Sequence, residues 1–205
     1  MTGVNLHNIS PPLVIVLSGP SGAGKDAVLG RLKSVGSPFF HVTTLTTRSI
    51  RPGEKDGRDY HFTTSADFQA TVAKGGMLEY AEVYGNWYGV PKAPVQLALS
   101  RGEDVVIKVD IQGAATIKRL VPEAVFIFLT TPAVTELEAR LLERKTETQA
   151  DIELRLKTAV REMSAITGFD YVVYNPCDGV DQAMNDIAAI IKAEKCRVNP
   201  RRANV

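Results

Sequence analysis

The sequence predicts an α/β fold in which a mainly parallel sheet is covered by helices on both faces. Three observations predict it. Short apolar runs at 13–17, 104–110, 124–130 and 171–174 alternate with segments of helical periodicity, the order that parallel strands and their crossover helices require. The first run, LVIVL, passes through a glycine-rich turn, SGPSGAGK, into the helix-competent DAVLGRLK. Two stretches, 41–90 and 134–167, interrupt the alternation and read as excursions from one core made of about 11–40, 91–133 and 168–196.

With 205 residues the chain can bury its core as a single domain, over 11–196, since domains commonly hold ~100–200 residues. Its 24 basic and 23 acidic residues leave a formal charge of +1, so no global field favours nucleic acid or an anionic membrane. Any anion site must therefore be local. The apolar run at 13–17 is too short for a signal-peptide core or a membrane span, and Asn5, His7, Asn8, Pro11 and Pro12 before it supply no positive charge. A cytoplasmic address is expected. Cys177 and Cys196 are too few for a disulfide framework and lack metal-ligand spacing, which makes them reduced thiols.

In chain order, 1–10 is a flexible lead-in. Gly19, Pro20, Ser21, Gly22, Ala23, Gly24 and Lys25 then form G-x-x-x-x-G-K between a strand and a helix. At this spacing successive backbone N–H groups surround a phosphate, a lysine reaches its outer oxygens, and the helix N-terminus points at the same anion. The core is accordingly of the phosphate-loop nucleotide-binding type. One position departs from the motif: the residue after the lysine, ordinarily a hydroxyl that ligates Mg²⁺, is Asp26, followed by Ala27.

The segment TTRSIRPGEKDGRDYHF, over 46–62, mixes Arg48, Arg51, Lys55 and Arg58 with Glu54, Asp56 and Asp59 and has little to bury. Composition alone favours a solvated loop, but loops of this length inside compact chains are commonly functional. SADFQATVAK predicts a helix from Ser65, and MLEYAEVYGNWYGV two strands around a turn at Gly85-Asn86. Glu79 alternates with Leu78 and Tyr80 and so faces one side of this small sheet. A helix at 91–101 leads to DVVIKVD, a buried strand ending in Asp110, where a carboxylate can stand beside a phosphate loop and hold Mg²⁺ or its water.

A helix at 111–120 and the strand AVFIFLT follow, and Thr131-Pro132 reads as a helix start with a capping hydroxyl. Arg140 and Arg144 share a helix face, and Arg155 lies beyond the polar break TETQA, so this helical hairpin can close over phosphates or simply solvate its arginines. Tyr171–Tyr174 is a last strand, Val180, Ala183, Ile187 and Ile191 mark a closing amphipathic helix, and 197–205 is expected to be a flexible end.

Taken together, GPSGAGK, TTRSIRPGEKDGRDYHF, LEYAEVYGNWYG, VDIQGA and the arginine-bearing hairpin resemble the guanylate kinases, in the same order and along nearly the whole chain. The resemblance implies ATP-dependent phosphorylation of GMP, with dGMP as a further acceptor, by in-line transfer with Mg²⁺ bound alongside ATP. It implies a GMP-binding subdomain at 41–90 and a lid at 134–167. Arg48, Arg51, Tyr60 and Tyr88 would hold the GMP phosphate, and Thr44, Glu79 and Asp110 the guanine. Residues Gly19 to Ala27 would bind ATP, with Lys25, Arg140, Arg144 and Arg155 on the transferred group and Asp26 and Asp110 toward the metal. The partners are then ATP and GMP, with no nucleic acid and no membrane, in a monomer or homodimer. A guanylate-kinase-like module that only binds a protein is the competing reading, against which the complete phosphate loop and the lid arginines speak.

Guanine presents N1–H and N2–H₂ side by side, and one carboxylate such as Glu79 can accept both, which adenine cannot match. Three positions depart from the family pattern. Asp26 replaces Ser or Thr, Lys108 replaces an acid two residues before Asp110, and Val90 replaces a hydroxyl near the guanine. The first two are expected to be linked, with Lys108 pairing with Asp26 or with a phosphate, while Asp26 takes over part of the metal ligation.

Overall fold

The computed structural model describes residues 10–36, 38–83, 85–142 and 157–205. Its main sheet contains β1 (Val14–Ser18), β2 (Phe40–His41), β7 (Val105–Lys108), β8 (Val125–Thr130) and β9 (Tyr171–Tyr174). Their order is β2-β7-β1-β8-β9 and every pairing is parallel. Both β1 and β8 are buried along their whole length, which is why they read as unbroken apolar runs and not as alternating ones.

Side chains leave each strand alternately to the two faces, so the sheet carries two apolar layers. Val14, Val16, Ile107 and Phe126 pack with Val95 of α3 (Lys92–Ser100) and Ile117 of α4 (Ile111–Leu120). On the other face Ile15, Leu17, Ile127 and Leu129 pack with Val28 and Leu32 of α1 (Lys25–Ser34) and Ile187 and Ile191 of α7 (Val180–Lys195). The carboxyl ends of β1, β7 and β8 open on one edge, where ligands of open α/β sheets bind.

The first excursion forms a second sheet from β3 (Leu45–Thr46), β4 (His61–Phe62), β5 (Met77–Val83) and β6 (Asn86–Pro91), in the order β4-β3-β6-β5. One of its faces is filled by Phe68 of α2 (Ser65–Ala73), whose ring lies 6.4 Å from that of Tyr80 and 6.0 Å from that of Trp87. Glu79 and Val90 are register partners, so alternation puts both on the opposite face, the side on which α4 packs against β5. The polar segment before β4 is folded by its own side chains. Asp56 accepts the Phe62 N–H at 2.9 Å and Asp59 the Lys55 N–H at 2.8 Å, which is what distinguishes it from a loosely solvated loop.

The second excursion begins with α5 (Val134–Leu142), which packs through Leu137 and Leu141 on Ala159 of the helical residues 157–163, here α6. This small cluster is separate from both sheet layers. α5 starts later than Thr131-Pro132 predicted, because the Thr131 hydroxyl donates to Ala133 O at 2.8 Å and is not spent as a helix cap. The 197–205 tail also differs from the flexible end expected. Arg201 reaches the buried Glu194 at 3.1 Å and Ala124 O at 3.1 Å, and Ala203 and Val205 pack on the core. An amphipathic reading of α7 could not anticipate this, because Glu194 is a charge on the helix's buried side that requires a cation brought by the tail. Among the described residues no helix is long and apolar enough to cross a membrane.

Candidate active site

The loop after β1 owes its shape to backbone that only glycine tolerates. Gly19 sits at φ +146°, and a Cβ there would lie 1.9 Å from Leu129 O of β8. Gly24, at φ +88°, ends the loop as the N-cap of α1, and no side chain caps that helix. The first N–H groups of α1 are thus left to a ligand, with the helix dipole behind them. Asn175, just past β9, supports the loop from beneath by donating to Ala23 O at 2.8 Å.

The loop's affinity for anions is visible in the structure. The Glu162 carboxylate of α6 accepts the Ser21 N–H at 3.1 Å. Burial raises the Glu162 carboxyl above the ordinary range, while the Ser21 N–H and the nearby Lys25 favour its charge. Lys25 folds back on the loop, donating to Gly19 O at 2.6 Å and Pro20 O at 3.0 Å. Burial pushes the Lys25 ammonium down to about 8, against the attraction of Glu162 and Asp26. Arg140 of α5 donates to Asn175 O at 2.9 Å, which places it beside the loop at Gly24. The sequence reading missed Glu162 and Asn175, since neither belongs to a motif; their role arises from where α6 and β9 end. Arg144 and Arg155 lie outside the described residues.

A second cluster gathers where the small sheet meets β7. The Arg48 guanidinium grips Glu54 with two bonds from one nitrogen, at 2.7 and 3.0 Å, and lies 5.4 Å from the centre of the Tyr60 ring. Tyr60 and Tyr88 meet edge to face at 5.9 Å, and Tyr88, with Glu54, favours the charge of Arg48. Glu54 also accepts the backbone N–H of the exposed Arg51, so a single acid orders the turn that carries both arginines. It was legible only as one of several loop acids.

Lys108, at the end of β7, reaches into this cluster. Its Nζ lies 2.5 Å from Asp26 Oδ1, donates to the Tyr60 hydroxyl at 3.0 Å, and stands 4.6 Å from the centre of the Tyr60 ring. Burial opposes its charge, but Asp26 and Tyr60 more than offset this and hold the ammonium's pKa above that of a free lysine. The expected pairing of positions 26 and 108 is therefore present, and it links the phosphate loop to the tyrosine cluster.

Glu79 forms the third part. It is 5% exposed, and its Oε2 has no hydrogen-bond partner among the described residues. Burial, with a smaller contribution from Asp110, pushes its carboxyl up to about 8. It sits directly against α4, where a Cβ on Gly113 would lie 2.9 Å from Oε2. Asp110 caps this helix by accepting the Gly113 N–H at 2.8 Å. Val90, the partner of Glu79 across the strand pair, is fully buried and helps to keep water from the carboxyl. Thr44 is buried as well, and its carbonyl accepts the His61 N–H at 2.9 Å. An acid kept this dry, with Oε2 unpartnered among the described residues, is suited to a ligand that brings adjacent N–H donors.

The guanylate kinase family profile matches residues 12–194. The chain belongs to the guanylate kinase family. It is 43% identical over 195 residues to the rice protein named guanylate kinase 2, chloroplastic/mitochondrial, covering 95% of this chain and 68% of that one. Against the guanylate kinase of Clostridium perfringens SM101 the identity is 40% over 200 residues, covering 98% and 92%. The crystal structure of guanylate kinase from Anaplasma phagocytophilum superposes with a TM-score of 0.74 at 29% identity, covering 93% of this chain and 89% of that one. As a guanylate kinase it has the parallel core sheet that its sequence predicts, with five strands, and a separate four-stranded mixed sheet.

The acidic donors fit a divalent cation that arrives with ATP. Asp26, exposed at the head of α1, and Asp110, at the end of the neighbouring strand segment, are the candidates. Among the described residues no group of three or more His, Cys, Asp or Glu could hold a metal by itself. Mg²⁺ keeps several waters and takes one or two carboxylates plus phosphate oxygens.

Proposed function

We infer that the protein phosphorylates GMP with ATP, releasing GDP and ADP, and that the three clusters divide the work. The observation that carries the guanine assignment is the buried Glu79 with its unpartnered Oε2. Guanine N1–H and N2–H₂ satisfy such a carboxylate together. Adenine would leave it buried without its partners, at a cost of about 1–3 kcal/mol or more. Thr44 and Asp110 border the same base.

Arg48, Arg51, Tyr60 and Tyr88 take the GMP phosphate, two guanidinium forks and two neutral phenols matching its oxygens without adding negative charge. The loop from Gly19 to Ala27 takes the ATP phosphates, which displace the Glu162 carboxylate from the Ser21 N–H and draw Lys25 off the loop carbonyls. Arg140, and Arg144 and Arg155 with it, reach over the group in transit from the lid.

A GMP phosphate oxygen attacks the γ-phosphorus as the bond to the β–γ bridging oxygen breaks. The protein contributes alignment and charge neutralisation, through Lys25 and the arginines. Asp26 and Asp110 are the residues that would hold Mg²⁺, which would supply further neutralisation of phosphate charge. Closure of lid and GMP subdomain excludes water, which would otherwise accept the phosphoryl group. The exposed, unpaired Cys177 and Cys196 suit a reducing, cytoplasmic setting.

ADP release tests this reading, with GMP, AMP, UMP or CMP as acceptor and with or without Mg²⁺. Turnover with GMP and Mg²⁺ alone is the expected result. Equal turnover with AMP would refute the role of Glu79, and tight GMP binding without ADP would leave a binding module.

A further inference from the structure

Lys108 is a cation at a place where the enzyme must manage two sets of phosphates. It is the last residue of β7, beside β1 and therefore beside the phosphate loop, and its side chain is only 17% exposed. Its nitrogen touches one group from each half of the site: Asp26, on the first turn of α1, and Tyr60, in the small sheet's polar cluster. The two partners differ in exposure. Asp26 is 80% exposed and Lys108 is not, so the ammonium is the fixed member of the pair and the carboxylate the one that can move away.

Bound GMP changes the charges around this pair. A phosphate at Tyr60, Tyr88 and Arg48 would bring two negative charges next to an ammonium already bonded to the Tyr60 hydroxyl. The same phosphate would meet the Asp26 carboxylate, 2.5 Å from that ammonium, as a like charge. Separating the like charges keeps Lys108 on Tyr60 and the phosphate and turns the exposed Asp26 outward.

We propose that Lys108 is a direct ligand of the acceptor phosphate, held by Asp26 in the empty enzyme and transferred to the phosphate when GMP binds. This rests on the reading that Tyr60 and Arg48 hold that phosphate. It gives positions 26 and 108 one shared role: the exchange neutralises the acceptor and releases Asp26 from the ammonium at the moment a carboxylate is needed beside ATP.

The test is calorimetric binding of GMP and of guanosine, without ATP or divalent cation, to the wild type, Lys108→Met, Lys108→Arg, Asp26→Asn and the double variant Asp26→Asn with Lys108→Met. The decisive comparison is made in the Asp26→Asn background, where position 26 carries no charge to repel the phosphate. In Asp26→Asn, which has no charge at position 26, the loss of Lys108 is expected to weaken GMP about 10- to 100-fold, the worth of a charged hydrogen bond, and to leave guanosine unchanged. Lys108→Arg should keep most of the GMP affinity, and Asp26→Asn alone should tighten GMP.

If the double variant binds GMP as well as Asp26→Asn does, the pair only balances its own charges and the proposal is wrong. It is equally wrong if GMP and guanosine weaken together, since Lys108 would then merely shape the site. A wild type that binds guanosine as tightly as GMP would instead overturn the acceptor-phosphate reading on which the proposal rests.

Discussion

Replacing Glu79 by Gln is the most informative perturbation available in this site. Burial, with a smaller contribution from Asp110, pushes the carboxyl up to about 8 in the folded protein against its ordinary 4.5, and its Oε2 has no hydrogen-bond partner among the described residues. The native state therefore holds a proton that the unfolded chain has already released, and stability falls as pH rises through the window from 4.5 to 8. At pH 7 the accumulated loss is roughly 3.5 kcal/mol, from about 2.5 pH units at about 1.4 kcal/mol each. Glu79→Gln removes the titration, so it should stabilise the empty protein at pH 7 and above while leaving it little changed near pH 4.5.

The same proton governs GMP. Guanine needs the carboxylate, and with a pKa of about 8 only about one site in ten is ionised at pH 7, against half at pH 8. GMP affinity should therefore rise about fivefold from pH 7 to pH 8, a range in which a phosphate monoester, with its second pKa of about 6, is already dianionic. Calorimetry in buffers of different ionisation enthalpy should show close to one proton released per GMP bound at pH 7. In Glu79→Gln that release should vanish and the preference for GMP over AMP should collapse. Binding of GMP at pH 7 with no proton released would refute the buried-acid argument. So would a wild type whose melting temperature does not fall between pH 6 and pH 8.

Three further outcomes follow from the geometry. Gly19→Ala would drive a Cβ to 1.9 Å from Leu129 O, so a thermal melt should show a loss of at least about 2 kcal/mol and ATP turnover should disappear. Arg48→Lys gives up the paired bonds to Glu54 and the contact with Tyr60; the KM for GMP should rise about 10- to 100-fold with the KM for ATP little changed. Arg201→Ala leaves the buried Glu194 with only the longer Arg197 contact, at 3.6 Å, and the Tyr171 hydroxyl, at a cost of about 2 kcal/mol or about 4–8 °C in melting temperature. Burial opposes the charge of Glu194, yet the Tyr171 hydroxyl and Arg201 hold its pKa below the ordinary value. The wild type draws stability from this group above about pH 4.5 and loses it as pH falls through the lowered pKa. The deficit of Arg201→Ala should accordingly be larger at pH 7 than at pH 4, as read by melts at the two values.

The sequence by itself determined the parallel core, the phosphate loop, the small sheet and the closing helix. Each is written in local pattern: unbroken apolar runs where a strand is buried on both faces, glycine where backbone must approach Leu129 or turn to positive φ, helical spacing on α7. Arg48, Tyr60, Glu79 and Tyr88 could be named because they stand in short motifs, and positions 26 and 108 could be linked because both depart from pattern in compensating directions. Only the tertiary structure decided what surrounds those residues. Glu54 became the anchor of Arg48, Glu162 the anion on the loop, and Asn175 the support beneath it, while the tail became the partner of Glu194. Whether Glu79 is a solvated surface acid or a dry one depends on Val90 and Gly113, which lie near it only after β6 and α4 have packed. Local pattern records which way a side chain points; the free energy of a charge depends on its distance from water and from other charges, and those distances are set by parts of the chain remote in sequence.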